Sequence, residues 1–344
     1  MSEESPRGAL LVGSVPLSDT EAVLRTVSSA LGDRLRRVPD GETGPRLDFI
    51  GWQSDLFLRH PQLEPSGEIG RYNPRPRSRL RAGVSAADVR FSQLGYAEAA
   101  LGSYPTFARL QTSDGVIAPA VRFQVCLPSP LAPVQAWITE RDQDAVRPAY
   151  VQRMLEEVDE IAAAIPHDQL AIQWDVASEM LAFERMGDDD GMAGRKASIL
   201  EALARSGNRV PRDVELGFHL CYGDFGHQHA LQPRDTRTLV EVASGILQRL
   251  ERPLTWLHLP VPRDRDDSAY FAALADLRLP SATKLYLGLL HLADGAEGAR
   301  RRIRAARQFV DGFGVATECG WGRRDPATIL DLLRLHAEVA AADV

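Results

Sequence analysis

Lysine is almost missing from this chain. Lys196 and Lys284 are its only two, so 38 of the 40 basic residues are arginine. That bias reads as genomic composition and not as a functional signal. Long apolar runs are missing too. None approaches the roughly 18 residues of a transmembrane helix, so no membrane partner is expected. Excess positive charge is absent: the formal net charge is −7, which argues against a nucleic-acid partner. Cysteine is sparse and odd in number, at Cys126, Cys221 and Cys319. The opening Met1-Ser2-Glu3-Glu4-Ser5 is acidic and polar, where a secretory signal would be basic and then apolar. Together these predict a reducing, cytoplasmic setting. No glycine-rich dinucleotide fingerprint follows the first apolar run, whose turn reads Gly13-Ser14-Val15-Pro16. No P-loop is found either, so nucleotide-binding readings lose support.

What remains is ordinary globular text of 344 residues, 44% hydrophobic and 25% charged. Short apolar runs at 9–13, 35–39, 120–127, 170–175, 214–221, 254–259, 284–292 and 314–319 read as strands. They are apolar on both faces, as buried parallel strands are. Helical stretches near 19–31, 86–101, 144–164, 193–206, 235–250, 268–277, 296–310 and 326–341 alternate with them. Ser18-Asp19 and Asp325-Pro326 are start signals for two of these. Eight β-then-α units predict an α/β fold of the closed (β/α)8, or TIM, barrel type. The expected domain is a single barrel over 1–344 with an insertion at 51–85, between the second and third strands. That insertion is Pro-rich and carries Arg71, Arg75, Arg77, Arg79 and Arg81. It reads either as a solvated loop or as a lid whose arginines grip an anionic substrate tail.

In such a barrel, chemistry sits where the strands end. The strand ends here are polar or reactive: Ser14, Asp40 and Glu42, Asp175 with Glu179, His219 and Cys221, His258, His291 and Asp294, then Glu318 and Cys319. Convergence of this kind points to an enzyme. Residues i and i+2 of a strand face one side, so His219 and Cys221 can bind one cation, with Cys319 giving a second sulfur. Two sulfurs and a nitrogen suit Zn²⁺; packed core residues are the plainer alternative. His258 either completes the metal shell, bonds a substrate, or packs beside Trp256. His227 and His229, in a loop with Asp224, read as surface residues, and Cys126 as a packed thiol. Asp40, Glu42 and Asp175 form an acidic cluster suited to a substrate ammonium, to acid–base work, or to capping. Trp174, Trp321 and Phe225 either wall the pocket or pack.

At this point the text resembles a known family. Val12-Gly13-Ser14-Val15-Pro16, Asp40-Gly41-Glu42 with Arg46, and Gln173-Trp174-Asp175 occur in order along the chain. His219-Leu220-Cys221-Tyr222 and Glu318-Cys319-Gly320-Trp321-Gly322-Arg323-Arg324 follow them. Together they are similar to the C-terminal catalytic barrel of cobalamin-independent methionine synthase. The likeness is closer to the short single-barrel members of the uroporphyrinogen decarboxylase/methionine synthase-like superfamily. It implies zinc on His219, Cys221 and Cys319. It implies that Ser14 meets an amino-acid carboxylate, that Glu42 and Asp175 meet an amino group, and that Asp40 and Arg46 belong to the same substrate site. Where the synthase has a glutamate as fourth zinc ligand, this chain has His258, which the resemblance puts in the metal shell. The synthase's catalytic histidine follows the seventh strand, where His291 and Asp294 lie. A chain of 344 residues leaves no room for the synthase's N-terminal barrel, which helps bind folate.

The leading expectation is a zinc-dependent methyl or alkyl transferase acting on a small-molecule thiol, with a folate-like or other methyl donor. His291 would protonate the leaving group. The competing expectation is a zinc lyase or hydrolase in the same barrel site. The third is a non-catalytic barrel with a structural zinc. A homo-oligomer is compatible with all three.

Overall fold

The computed structural model describes residues 5–70, 74–187, 189–223 and 230–343. Arg71, Asp224, Phe225, His227 and His229 therefore lie outside the described residues.

Seven parallel strands form one curled sheet: β1 (Arg37–Pro39), β4 (Arg122–Pro128), β5 (Leu170–Val176), β6 (Glu215–Leu220), β7 (Trp256–Pro260), β8 (Lys284–Leu290) and β9 (Gly314–Thr317), neighbours in that order. Helices pack outside the curl, among them α1 (Thr20–Leu31), α3 (Tyr96–Thr112), α4 (Leu131–Trp137), α5 (Gln143–Ala164), α6 (Ser178–Met186), α7 (Ala193–Arg209), α8 (Arg237–Leu247), α9 (Ser268–Phe271), α10 (Gly295–Ala306) and α11 (Ile329–Val339). Among the described residues no helix is long and apolar enough to cross a membrane.

The expected strand over 9–13 does not form a ladder, and no closed eight-stranded ring is seen among the described residues. Ala9 instead makes single parallel bridges to both edges of the sheet, at Leu35 and at Val315. The physical reason lies in the carbonyls of Leu11 and Val12. Gln124 Nε2 donates to Leu11 O at 3.0 Å, while Gln173 Nε2 and the Cys126 thiol donate to Val12 O at 2.6 and 3.0 Å. Side chains from β4 and β5 thus take the acceptors that a strand neighbour would need. The Cys126 thiol is buried and hydrogen-bonded, as the reading of it as a packed thiol expects.

Two apolar layers result. The larger lies between sheet and helices. The smaller fills the inside of the curl with Leu10, Ala171, Trp256, Tyr286 and Ala316. Gly217 is required there, because a Cβ would sit 1.9 Å from the Trp256 indole. Trp174 points the other way, into the outer core, and Trp321 packs against His336 of α11.

Two further expectations change. The helix expected over 86–101 begins ten residues later, at Tyr96, because its first N–H groups are capped from far away in sequence. The buried Glu157 carboxylate accepts from Gly95, Tyr96 and Ala97 at 3.2, 2.8 and 3.0 Å. The insertion at 51–85 is not loop text throughout. It holds the short helix α2 (Ser54–Arg59) and an antiparallel hairpin of β2 (Leu63–Ile69) and β3 (Pro76–Leu80). The hairpin is docked by a bridge from Ser78 to Ile138.

Candidate metal centre

Register brings the polar residues of the strand ends into one row. Asp175 of β5 lies opposite His219 of β6, and His219 lies opposite His258 of β7. Parallel partners face the same side of a sheet, so all three point into the curl. Cys221 follows one turn of the pleat later, and Cys319 arrives just beyond the end of β9.

The two sulfurs stand 3.8 Å apart and are not joined in a disulfide. Ligand atoms of His219, Cys221 and Cys319 all lie within 4.8 Å of one another. Tetrahedral zinc with Zn–S bonds of about 2.3 Å would separate two sulfurs by about 3.8 Å. The donor set therefore fits a metal ion in both chemistry and spacing. His258 is not in that set. Its Nδ1 faces His219 Nδ1 at 2.6 Å, behind the cluster. Burial pushes the His258 imidazole down to about 3, against a smaller opposing pull from the Thr317 backbone, so the ring is neutral.

Ser14, Glu42 and Asp175 line the same pocket as His219, Cys221 and Cys319, a space of ≈ 60 Å³. Glycine makes this possible at Gly320, where a Cβ would sit 2.5 Å from Ser14 Oγ. Ser14 Oγ accepts from Gly322 N at 3.0 Å, which leaves the hydroxyl hydrogen to donate elsewhere. Asp175 accepts from Gln173 Nε2 at 2.8 Å. Burial raises Glu42 to about 8, with Arg46 opposing and Asp40 adding to the rise. Burial also pushes Asp175 well above the carboxylate range, and the nearby Glu42 and Cys221 push it further. Neither carboxylate has an ion-pair partner among the described residues.

The remaining expected site residues are tied to neighbouring groups. Asp40 is committed to Arg46 at 2.5 Å, to Ser103 Oγ at 2.7 Å and to Glu42 N at 2.8 Å. Asp40 and Arg46 thus brace Glu42, which sits at a positive φ of 48°. Both line a separate small cavity on the far side of Glu42. Asp294 pairs with the fully buried Arg302 through both oxygens, at 2.6 and 2.9 Å. His291 is held by Val261 O at 2.9 Å and Glu318 at 3.3 Å. Neither His291 nor Asp294 lines the pocket with the cysteines. Glu179 accepts from Ser129 Oγ at 2.9 Å and faces a different cavity.

Phe49, Ala177 and Gly223 form walls common to the inner pocket and a larger trough of ≈ 580 Å³. Arg77, Arg185 and Arg195 stand along that trough. The arginines of the insertion hold the hairpin in place. Arg75 reaches Ser54 Oγ at 3.1 Å, Arg77 bonds carbonyls of Gln135 and Ala136, and Arg79 and Arg81 reach Glu64. Sequence reading missed Arg185 and Arg195. Their helices carry no motif; α6 and α7 both pack on α8, and the fold brings the two arginines to one trough.

No protein-family model and no curated protein sequence matches this chain. Among solved structures it is similar to a methyltransferase from Methanosarcina mazei. The TM-score is 0.51 and the identity 11%, over 98% of this chain and 94% of that one. At that identity the likeness is one of fold.

Proposed function

We propose that the protein is a zinc-dependent methyl or alkyl transferase that activates a thiol, of the cobalamin-independent methionine synthase-like kind. In this reading the chain is a (β/α)8 barrel in which the segment at 9–12 stands as the eighth stave. The observation that carries the proposal is the pair of sulfurs 3.8 Å apart beside His219, in one pocket with Ser14, Glu42 and Asp175. The fold likeness to a methyltransferase agrees with it.

His219, Cys221 and Cys319 would hold the ion. When bound, zinc supplies the positive charge that lowers the pKa of a coordinating thiol. The chain's residues do the rest. Glu42 and Asp175 would take the substrate ammonium between them, and that cation would stabilise both as carboxylates. The Ser14 hydroxyl, with Gly322 N–H already on its oxygen, would donate to the substrate carboxylate. Those contacts aim the sulfur, and orientation is a large share of such catalysis. In the transfer the thiol loses its proton and a sulfur–carbon bond forms. The bond from carbon to the donor breaks, and the donor leaves with the electron pair and gains a proton.

The test is metal analysis joined to methyl-transfer assays with amino-acid thiols and methyl donors, folate-like ones among them. One zinc per chain and a new Zn–S contact on adding thiol, seen by X-ray absorption, are expected. Full turnover by metal-free protein would sink the proposal. An unchanged metal shell with turnover of a non-thiol substrate would favour a lyase or hydrolase.

A further inference from the structure

We propose that His258 is a positioning residue and not a metal ligand: its Nδ1 accepts the Nδ1–H of His219, which presents His219 Nε2 to the ion beside two sulfurs and leaves a fourth position open to the pocket of Ser14, Glu42 and Asp175. This rests on the metal–thiol reading above and decides what that metal site can do.

The geometry is specific. His219 and His258 are direct partners in adjacent strands. Their Nδ1 atoms are 2.6 Å apart and their ring centroids 4.7 Å apart. Two nitrogens at that separation need one hydrogen between them, so one ring donates and the other accepts. A neutral imidazole that ligates a metal through one nitrogen carries its hydrogen on the other. His219 belongs to the ligand set with the cysteines and His258 does not. The hydrogen therefore sits on His219 Nδ1, His258 Nδ1 accepts it, and the His258 hydrogen is on Nε2. Both rings are buried, at 1% and 0% exposure, so water does not compete for the contact.

The consequence is coordination chemistry. A second histidine in the shell would complete four protein ligands, the closed arrangement of structural zinc. Three protein ligands with an open position are the catalytic arrangement. Two thiolates and a neutral imidazole balance the charge of a divalent ion, so an incoming thiolate is the group that makes the site anionic. A neutral ring behind His219 also raises that ligand's basicity less than the carboxylate found behind many metal-bound histidines.

The test loads ¹⁵N-histidine-labelled full-length protein with ¹¹³Cd and records nitrogen–cadmium couplings. Coupling to Nε2 of one ring is expected, assigned to His219 by its loss in His219→Gln. The His258 ring should be neutral, protonated on Nε2 and uncoupled. Coupling to a His258 nitrogen would overturn the inference while leaving the metal–thiol reading standing. A cadmium shift outside the thiolate range would overturn both. As a second measurement, zinc affinity by chelator competition should fall about 10–100-fold in His258→Phe. His258→Asn, whose side-chain oxygen can accept from His219, should recover part of that loss. Unchanged affinity in His258→Phe would also count against the proposal.

Discussion

The two ends of one sheet treat charge in opposite ways. At the end where the strands begin, Arg37 is 4% exposed, pairs with Glu215 at 2.9 Å and lies 4.1 Å over the Trp256 ring. Arg122 joins the same glutamate at 3.1 Å. Two arginines share one carboxylate there, and an aromatic ring covers the buried one. At the other end, Glu42 and Asp175 face a cavity beside two thiols, with Arg323 on its wall. Burial raises both carboxyl groups, and at Glu42 it outweighs the opposing pull of Arg46. Buried charge that is satisfied holds a fold together. Carboxyl groups held high by burial beside thiols mark a candidate functional site.

Four measurements sharpen or break that contrast. The largest effect should come from Arg37→Met. Removing one partner of a buried pair should cost about 3–5 kcal/mol in chemical denaturation, with zinc stoichiometry unchanged. Loss of metal in a folded Arg37→Met protein would show that the two ends are not separate. Next, Cys319→Ser should abolish zinc-linked stabilisation, worth about 4 kcal/mol when free zinc is a thousandfold above Kd. Without metal, the variant and the parent should melt within about 0.5 kcal/mol of each other.

Third, Glu42→Gln tests the unmatched carboxyl by pH. Burial lifts Glu42 from its ordinary 4.5 to about 8, so the unfolded chain sheds that proton first. The stability tied to holding it is complete below the unfolded value and is lost as pH rises through the folded one. In urea titrations of metal-free protein, the variant should therefore gain on the parent between about pH 5 and about pH 8. A flat difference would mean that Glu42 titrates normally. The smallest effect belongs to Arg75→Ala in the docked insertion. Its contacts to Ser54 and Asp48 are partly solvated, so the loss should stay below about 1 kcal/mol, and zinc binding should not change.

Much of this was legible from the chain alone where the signal is local. Apolar runs of strand length alternate with helical ones, so a parallel sheet flanked by helices was readable. His219 and Cys221 share a face by spacing. The rest depended on partners far away in sequence. Asp40 reads as a strand-end carboxylate, and only the fold shows Arg46, Ser103 and the Glu42 amide gathered on it. For Asp294 only the fold shows that Arg302, eight residues on, returns to it along α10. The start of α3 is set by Glu157, sixty residues later.

By itself, the sequence determined the order of elements and the residue types at each strand end, because hydrophobic period and i, i+2 spacing are properties of neighbours. Only the tertiary structure decided which of those ends share a cavity, why the segment at 9–12 bridges rather than pairs, and that His258 stands behind His219. Those outcomes depend on strand register and on which side chain reaches a given hydrogen-bonding group first, and both are settled by packing across the curl.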